Sequence, residues 1–179
     1  MSRTLHLFGD IEEKTVKDIC KSIIEINEED AEQEAKLKEY KRSPIKLYID
    51  SYGGECYACL SLISVIRTSK TPIHTICNGY AMSAGALIFI SGHRRFITEN
   101  TTIMIHQLSN GKSGKYMDFK DHIEEIEDLQ EKLNSIVFKY TKIKPTQLKK
   151  YYDKKKDWYL YTEEILRLKI ADELIKEEC

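Results

Sequence analysis

The chain has 179 residues and a mass of 20.9 kDa, which is one ordinary domain that can bury a core without disulfides or metal ions. Its 28 basic and 29 acidic residues leave a net charge of −1, which argues against a dedicated nucleic-acid or membrane-surface binder. Apolar runs are shorter than the ~20 residues of a membrane span, and the first residues lack the apolar core of a signal peptide. The five cysteines suit buried thiols in a reducing compartment, so we expect a cytoplasmic protein.

Strands and helices are predicted to alternate through the first part of the chain. The strands are expected at residues 5–7, 45–50, 73–77, 95–97 and 103–105. The helices are expected around residues 16–24, at 56–66 and at 83–90. Residues 51–54 (SYGG) are expected to break the second strand. Strands alternating with buried helices predict an α/β fold with a parallel sheet covered on both faces.

Two further segments differ from this alternation of strands and helices. Ten of the 17 residues at positions 27–43 are charged, which predicts a solvated insertion between the first helix and the second strand. Further on, apolar residues repeat every seven positions at Phe119, Ile126, Leu133 and Tyr140, which predicts a long amphipathic helix. Its apolar seam packs either in the core of the same chain or against another subunit. No linker or repeat divides residues 1–179, so we expect a single domain.

Residues with catalytic potential follow three of the predicted strands. Ser83 lies among small residues in the segment 79–85 (GYAMSAG), where a sharp turn between strand and helix would present its hydroxyl. The backbone N–H after Ser83 and that of Gly54 could bind a developing oxyanion. His106, at the end of another strand, could act as general base. Either Ser83 or His106 alone would more often be structural, but their combination behind a Gly-Gly pair is much more specific.

Over residues 5–175 the chain resembles the ClpP family of serine peptidases, within the ClpP/crotonase-like superfamily. Residues 48–54 (YIDSYGG) are similar to the family's INSPGG motif, and residues 79–92 resemble its nucleophile helix. Residues 104–107 (MIHQ) match its histidine motif, and residues 157–164 (DWYLYTEE) resemble the segment with the third triad residue.

The resemblance implies a role for five residues. Ser83 would be the nucleophile, His106 the base and Asp157 the residue that orients the histidine, while Gly54 and Ala84 would form the oxyanion hole with their backbone amides. The implied activity is that of a serine endopeptidase that needs no cofactor or metal ion. The residues alone leave the third triad member open, because aspartates also occur at positions 118, 121, 128 and 153. The last of these is the main competitor of Asp157, since the other three fall in the long helix.

The resemblance also implies an assembly. The fold would consist of repeated β-β-α units, and the long helix at residues 116–141 would be a projecting handle helix through which two heptameric rings stack. This implication favours an intersubunit role for the seam at Phe119, Ile126, Leu133 and Tyr140. Substrates would be peptides or unfolded proteins, added as a strand beside the segment at residues 109–114.

Several positions depart from the family pattern. Tyr52 and Leu108 stand where the family usually has proline, and Ala84 stands where it has methionine. The first strand is predicted to begin almost at once, so we expect the N-terminal segment that usually forms the axial pore loops to be absent. The insertion at residues 27–43 is also unusual for the family. We therefore expect a compact variant of the family, in which docking of an AAA+ unfoldase is an open question.

Other functions share parts of this pattern. A crotonase-type acyl-CoA enzyme has the same fold but needs acidic bases near the oxyanion hole. A non-catalytic ring subunit would have lost the triad, and a phage-type head-maturation peptidase would share the chemistry but act on a structural protein. Cys56 and Cys59 form a CxxC motif, which we interpret as buried thiols because the other marks of a thioredoxin are missing.

Overall fold

Eight strands and six helices form the parts of the chain that the computed structural model describes, residues 2–109 and 116–176, with the backbone alone for residues 116–121. The strands are β1 (Thr4–Ile11), β2 (Ile45–Gly54), β3 (Ile73–Cys77), β4 (Tyr80–Met82), β5 (Arg94–Ile97), β6 (Thr102–Ile105), β7 (Trp158–Tyr161) and β8 (Glu173–Leu174). The helices are α1 (Glu13–Lys36), α2 (Cys56–Thr68), α3 (Ala84–Ile90), α4 (Tyr116–Tyr140), α5 (Pro145–Tyr152) and α6 (Thr162–Arg167).

The sheet has two branches that share β2. In the first branch, the first half of β2 pairs with β3, and the sheet continues to β5 and β8. In the second branch, Ser51 in the second half of β2 pairs with Ala81 of β4, and the sheet continues to β6 and β7. Strand β1 pairs with β2 over most of its length. All these pairings are parallel except β6–β7, which is antiparallel. The units β3–β4–α3 and β5–β6–α4 have the β-β-α order of the predicted α/β fold.

Burial of the central elements follows directly from their residue pattern. In β2, Ile45, Leu47 and Ile49 alternate with more exposed residues and are buried. Helix α3 is apolar on every side and lies wholly in the core, where all seven of its residues are buried. The predicted catalytic turn is therefore bordered by one buried face of β2 and by a helix that lies wholly in the core.

The predicted break in β2 is wrong. Residues 51–54 remain in the strand, and Asp10 and Ile11 of β1 pair with Gly53 and Gly54. The two glycines have φ angles of 116° and 150°, which side-chain-bearing residues rarely adopt. The glycines thus reshape the end of the strand without ending it. The short strands β4 and β7 are further elements that the sequence patterns did not predict.

Helix α4 spans almost the range predicted for the long helix, but its seam is partly intramolecular. Leu133 and Val137 are buried in the core of the same chain, and the guanidinium of Arg67 lies 4.6 Å from the ring centre of Tyr140. Ile123, nearer the start of the helix, is 55% exposed. The side chain of Phe119 lies outside the described residues. The expectation of an intersubunit role is therefore wrong for Leu133, whereas Tyr140 is only partly buried and its part of the expectation stays a prediction.

The charged stretch at residues 27–43 is anchored by a buried carboxylate. Its first ten residues continue α1, and within them Asp30 is fully buried. Both oxygens of Asp30 accept hydrogen bonds from the Arg3 guanidinium, and they also accept from the hydroxyls of Tyr40 (2.5 Å) and Thr71 (2.6 Å). These bonds, that of Arg3 above all, hold the pKa of Asp30 well below its usual range. The composition predicted that the whole stretch is solvated, and for Asp30 this prediction is wrong.

We expect Asp30→Asn to lower the free energy of unfolding by about 2–3 kcal/mol, because it removes the charge that pairs with Arg3 in a buried site. Since folding lowers the pKa of Asp30, its contribution is complete above the unfolded value of about 4 and is lost as the pH falls below it. Urea unfolding followed by circular dichroism should therefore show a difference between wild type and variant that shrinks below about pH 4.

The matched control is Glu173→Gln, which breaks the exposed ion pair between Arg94 and Glu173. Exposed pairs contribute little, so this variant should differ from wild type by less than about 1 kcal/mol. Equal losses in the two variants would contradict the anchoring role of Asp30.

Candidate active site

Ser83 occupies a strained turn between β4 and α3. Its φ and ψ angles are 53° and −123°, a conformation that a residue with a side chain adopts at a cost of about 1–3 kcal/mol. The surrounding structure enforces it, since the Ser83 N–H donates to the carbonyl of Met104 in β6 (2.9 Å) and Leu87 N–H donates to the Ser83 carbonyl (3.3 Å). Such a turn holds the hydroxyl at the end of the sheet, as the segment 79–85 predicted.

Glycine at position 53 permits β2 to approach this turn. A Cβ atom added at Gly53 would lie 2.8 Å from Ser83 Cβ and 3.0 Å from the Met82 carbonyl oxygen. At the second residue of α3, a Cβ added at Gly85 would lie 3.1 Å from the Ser51 carbonyl oxygen. The buried Ser51 hydroxyl in turn accepts a hydrogen bond from Gly53 N–H (3.1 Å). Small residues near Ser83 are therefore required by backbone packing.

His106 directly follows β6 and contacts the serine. The distance between His106 Nε2 and Ser83 Oγ is 2.7 Å, which is a hydrogen bond. The two residues are 23 positions apart, and they meet because β4 and β6 are parallel neighbours that end at the same edge of the sheet. With the proton on Nδ1, Nε2 accepts from the serine hydroxyl and can take its proton.

Asp157 lies on the other side of the imidazole. It precedes β7, whose first residue Trp158 pairs with Ile105 of β6, and this antiparallel pairing brings the carboxylate beside His106. Asp157 Oδ1 is 3.8 Å from His106 Nδ1, and the Asp157 side chain is 49% exposed. That separation suits an ion pair but is too long for a hydrogen bond. The competing aspartate, Asp153, caps the end of α5 and lines a neighbouring cavity.

A signal for this arrangement was present in residues 158–161 (WYLY). The alternation of buried Trp158 and Leu160 with exposed Tyr159 and Tyr161 is the period of a half-buried strand. Recognition of that strand would have placed the residue before it at the edge of the sheet where His106 lies.

A cavity of about 220 Å³ opens beside Ser83 and His106. Gly54 and Ala84, the two residues expected to supply oxyanion-hole amides, are part of its wall. Most of the remaining wall is apolar, with Leu87, Leu133 and Val137 as examples. A cavity of this size and character can take one uncharged side chain of a substrate. Ser109 also lines it, whereas the remainder of the segment 109–114 lies outside the described residues.

The CxxC cysteines also border this cavity. Burial raises the pKa of both thiols, Cys56 and Cys59, and Cys59 Sγ donates to the Ala84 carbonyl (3.4 Å). Thiols of this kind are protonated and poor nucleophiles, so they act as packing groups. All four cysteines in the described part of the chain are free.

Neither a metal centre nor a membrane span is evident in residues 2–109 and 116–176. No group of three or more histidine, cysteine, aspartate or glutamate side chains is placed there so as to hold a metal ion. In the same residues, no helix combines the length and the apolar character needed to cross a bilayer.

Comparisons with known proteins agree with the motifs. A family model described as Clp protease matches residues 1–178. An ATP-dependent Clp protease proteolytic subunit from Deinococcus radiodurans is 30% identical to the chain over 169 residues, which cover 93% of this chain and 77% of the relative.

We expect Gly53→Ala to lower the rate of Ser83 acylation by at least about 100-fold, because the added methyl group would displace the turn that holds the serine. The rate can be measured as labelling by a fluorophosphonate probe, normalised to folded protein. The control is Gly9→Ala, where φ is also positive (85°) but the added Cβ meets open space. That variant should lose stability and keep its labelling rate; equal labelling of both variants would contradict the steric role of Gly53.

Proposed function

We propose, because the chain belongs to the Clp protease family, that it is the proteolytic subunit of a self-compartmentalised protease and hydrolyses peptide bonds through an acyl-enzyme. The family is one of serine peptidases. The observation that carries the proposal for this chain is the 2.7 Å contact between Ser83 Oγ and His106 Nε2, at the mouth of an apolar cavity.

The proposed mechanism uses five residues. Ser83 Oγ attacks the substrate carbonyl as its proton passes to His106 Nε2, and the backbone N–H groups of Gly54 and Ala84 bind the resulting oxyanion. Collapse of this intermediate breaks the C–N bond, and His106 returns the proton to the leaving amine. A water molecule, deprotonated by His106, then attacks the ester on Ser83. His106 returns that proton to Ser83 Oγ as the carboxyl product leaves. Asp157 orients the imidazole and stabilises its protonated form.

The 3.8 Å separation of His106 and Asp157 is compatible with this role. Catalytic hydrogen bonds are often long without substrate and shorten in the Michaelis complex. Asp157 is half-exposed in the isolated chain, so a bound peptide or a neighbouring subunit that excludes water would strengthen its attraction for the imidazolium.

The substrates we propose are unfolded proteins and short peptides. A peptide would add as a strand beside the residues that follow His106, with main-chain hydrogen bonds providing most of the affinity. The side chain next to the scissile bond would enter the 220 Å³ cavity. Because this cavity is mostly apolar, it selects by size and lack of charge and tolerates several side chains.

Clp protease subunits in general are oligomers that work with Clp ATPases. For this chain we propose a single domain over residues 1–179, assembled in the cytoplasm into stacked heptameric rings through the start of α4. An AAA+ unfoldase is the partner that would supply unfolded chains. Short peptides need no unfolding, and their hydrolysis should not need ATP.

The cavity lining distinguishes this proposal from an acyl-CoA enzyme of the same fold. Such an enzyme needs acidic bases near the oxyanion hole, whereas the described residues of the cavity wall include no aspartate or glutamate. The Ser83–His106 contact likewise favours an active peptidase over a non-catalytic ring subunit. A phage-type head-maturation peptidase would share the site and differ in its substrate.

We expect Ser83→Ala to abolish fluorophosphonate labelling and to reduce hydrolysis of a fluorogenic peptide to background, because it removes the nucleophile. Absence of labelling in wild type, under conditions where the protein is folded and assembled, would contradict the proposed function.

We expect Asp157→Ala to reduce kcat by roughly 10²- to 10⁴-fold, since the imidazole loses its orienting carboxylate. The control is Asp153→Ala, which removes the competing carboxylate at the end of α5 and should stay within about twofold of wild type. An undiminished kcat in Asp157→Ala would exclude this residue from the triad.

A further inference from the structure

The main chain around His106 is held on both sides by side chains from two helices. The Tyr152 hydroxyl, at the end of α5, donates to the His106 carbonyl oxygen (3.3 Å). Two residues further on, Leu108 N–H donates to Gln130 Oε1 of α4 (2.7 Å). The contacts thus bracket the short segment that carries the proposed base.

A third side chain joins these two contacts. Asn134 Oδ1 accepts hydrogen bonds from Gln130 Nε2 (3.0 Å) and from the Tyr152 hydroxyl (3.0 Å). Because Leu108 N–H needs an acceptor, the Gln130 oxygen faces it and the Gln130 nitrogen faces Asn134. Burial raises the pKa of Tyr152 to about 12, so its hydroxyl remains a donor at neutral pH. The Tyr152 hydroxyl has a single proton, so the His106 carbonyl oxygen and Asn134 Oδ1 share it in a three-centre hydrogen bond.

The other restraint on His106 is weaker. The Asp157 carboxylate is half-exposed and 3.8 Å from the imidazole, so it holds the ring only loosely in the isolated chain. The network, by contrast, lies on the wall of the catalytic cavity, where Gln130, Asn134 and Tyr152 are polar groups in mostly apolar surroundings. Hydrogen bonds there are stronger than in water, and leaving one unmade is costly.

We propose that Gln130, Asn134 and Tyr152 are positioning residues, which fix the main chain at His106 so that its Nε2 remains in contact with Ser83 Oγ. This inference rests on the proposed function. The three residues do not touch the reacting atoms, and they act through the backbone of the segment 106–108. Loss of one hydrogen bond should let this segment shift, and even small displacements of a catalytic group are costly to the rate.

The first test is Tyr152→Phe, which removes the hydroxyl and keeps the ring. The control is Tyr151→Phe, since the neighbouring Tyr151 ring stacks on Trp158 (4.6 Å between ring centres) and this stacking needs no hydroxyl. Activity is measured on a short fluorogenic peptide and expressed per active site titrated with a fluorophosphonate, so that a loss of folded protein does not count. We expect kcat to fall about three- to tenfold in Tyr152→Phe, with KM within about twofold, and to remain near wild type in Tyr151→Phe.

The second test changes Asn134, the residue that connects Gln130 and Tyr152. Asn134→Leu removes the acceptor shared by Gln130 and Tyr152, whereas Asn134→Asp keeps it. We expect Asn134→Leu to lower kcat by no more than Tyr152→Phe does, because Gln130 Nε2 loses its acceptor while the Tyr152 hydroxyl can still donate to the His106 carbonyl oxygen. Asn134→Asp should recover most of that loss. The double variant Tyr152→Phe/Asn134→Leu should be no slower than about the worse single variant, because both changes break the same network.

The outcomes separate this inference from the proposed function. If wild type labels at Ser83 but Tyr152→Phe and Tyr151→Phe have equal kcat per titrated site, the positioning role is overturned and the proposed function stands. A rise in KM with unchanged kcat would also overturn it, since the network would then serve substrate binding. If wild type fails to label at all, both proposals are overturned.

Discussion

The close approach of two backbones at Gly53 and Ser83 is the constraint from which the rest of the site follows. Because a hydrogen atom replaces the side chain at Gly53, β2 can lie against the turn between β4 and α3. That turn holds Ser83 in its strained conformation, and the pairing of β4 with β6 then places His106 beside the serine. The strain is tolerated because α3, which follows immediately, is buried on every side and cannot relax.

The sequence predicted this central part well for physical reasons. Helix α3 is apolar around its whole circumference, so its burial needed no knowledge of the neighbours, and the small residues before it indicated a tight turn. The contact between Ser83 and His106 was predictable because parallel strands end at one edge of the sheet. The pattern of residues pointed to Ser83 and His106, whereas the choice of Asp157 came from family resemblance. The geometry of the three is compatible with their roles without testing them.

The parts that the sequence did not predict depend on contacts between distant segments. Asp30 was one charged residue among many in a stretch that is mostly solvated, and its burial depends on Arg3 directly before β1 and on Thr71 before β3. Gln130 and Asn134 lie one helical turn apart, which on an amphipathic helix is typical of a solvated face. The partner of Gln130 is the N–H group of Leu108, and a backbone donor leaves no trace in the sequence.

Strand β2 belongs to both branches of the sheet, and this has a consequence for quality control during folding. Its first half supplies Ile45, Leu47 and Ile49 to the core, and its last residues shape the catalytic turn. A slip of one residue in its pairing would turn those apolar side chains toward solvent and at the same time carry Gly53 away from Ser83. A misfolded copy would therefore lose its nucleophile geometry together with its stability. In a molecule that cleaves polypeptides, this linkage means that an incorrectly folded copy is also a harmless one.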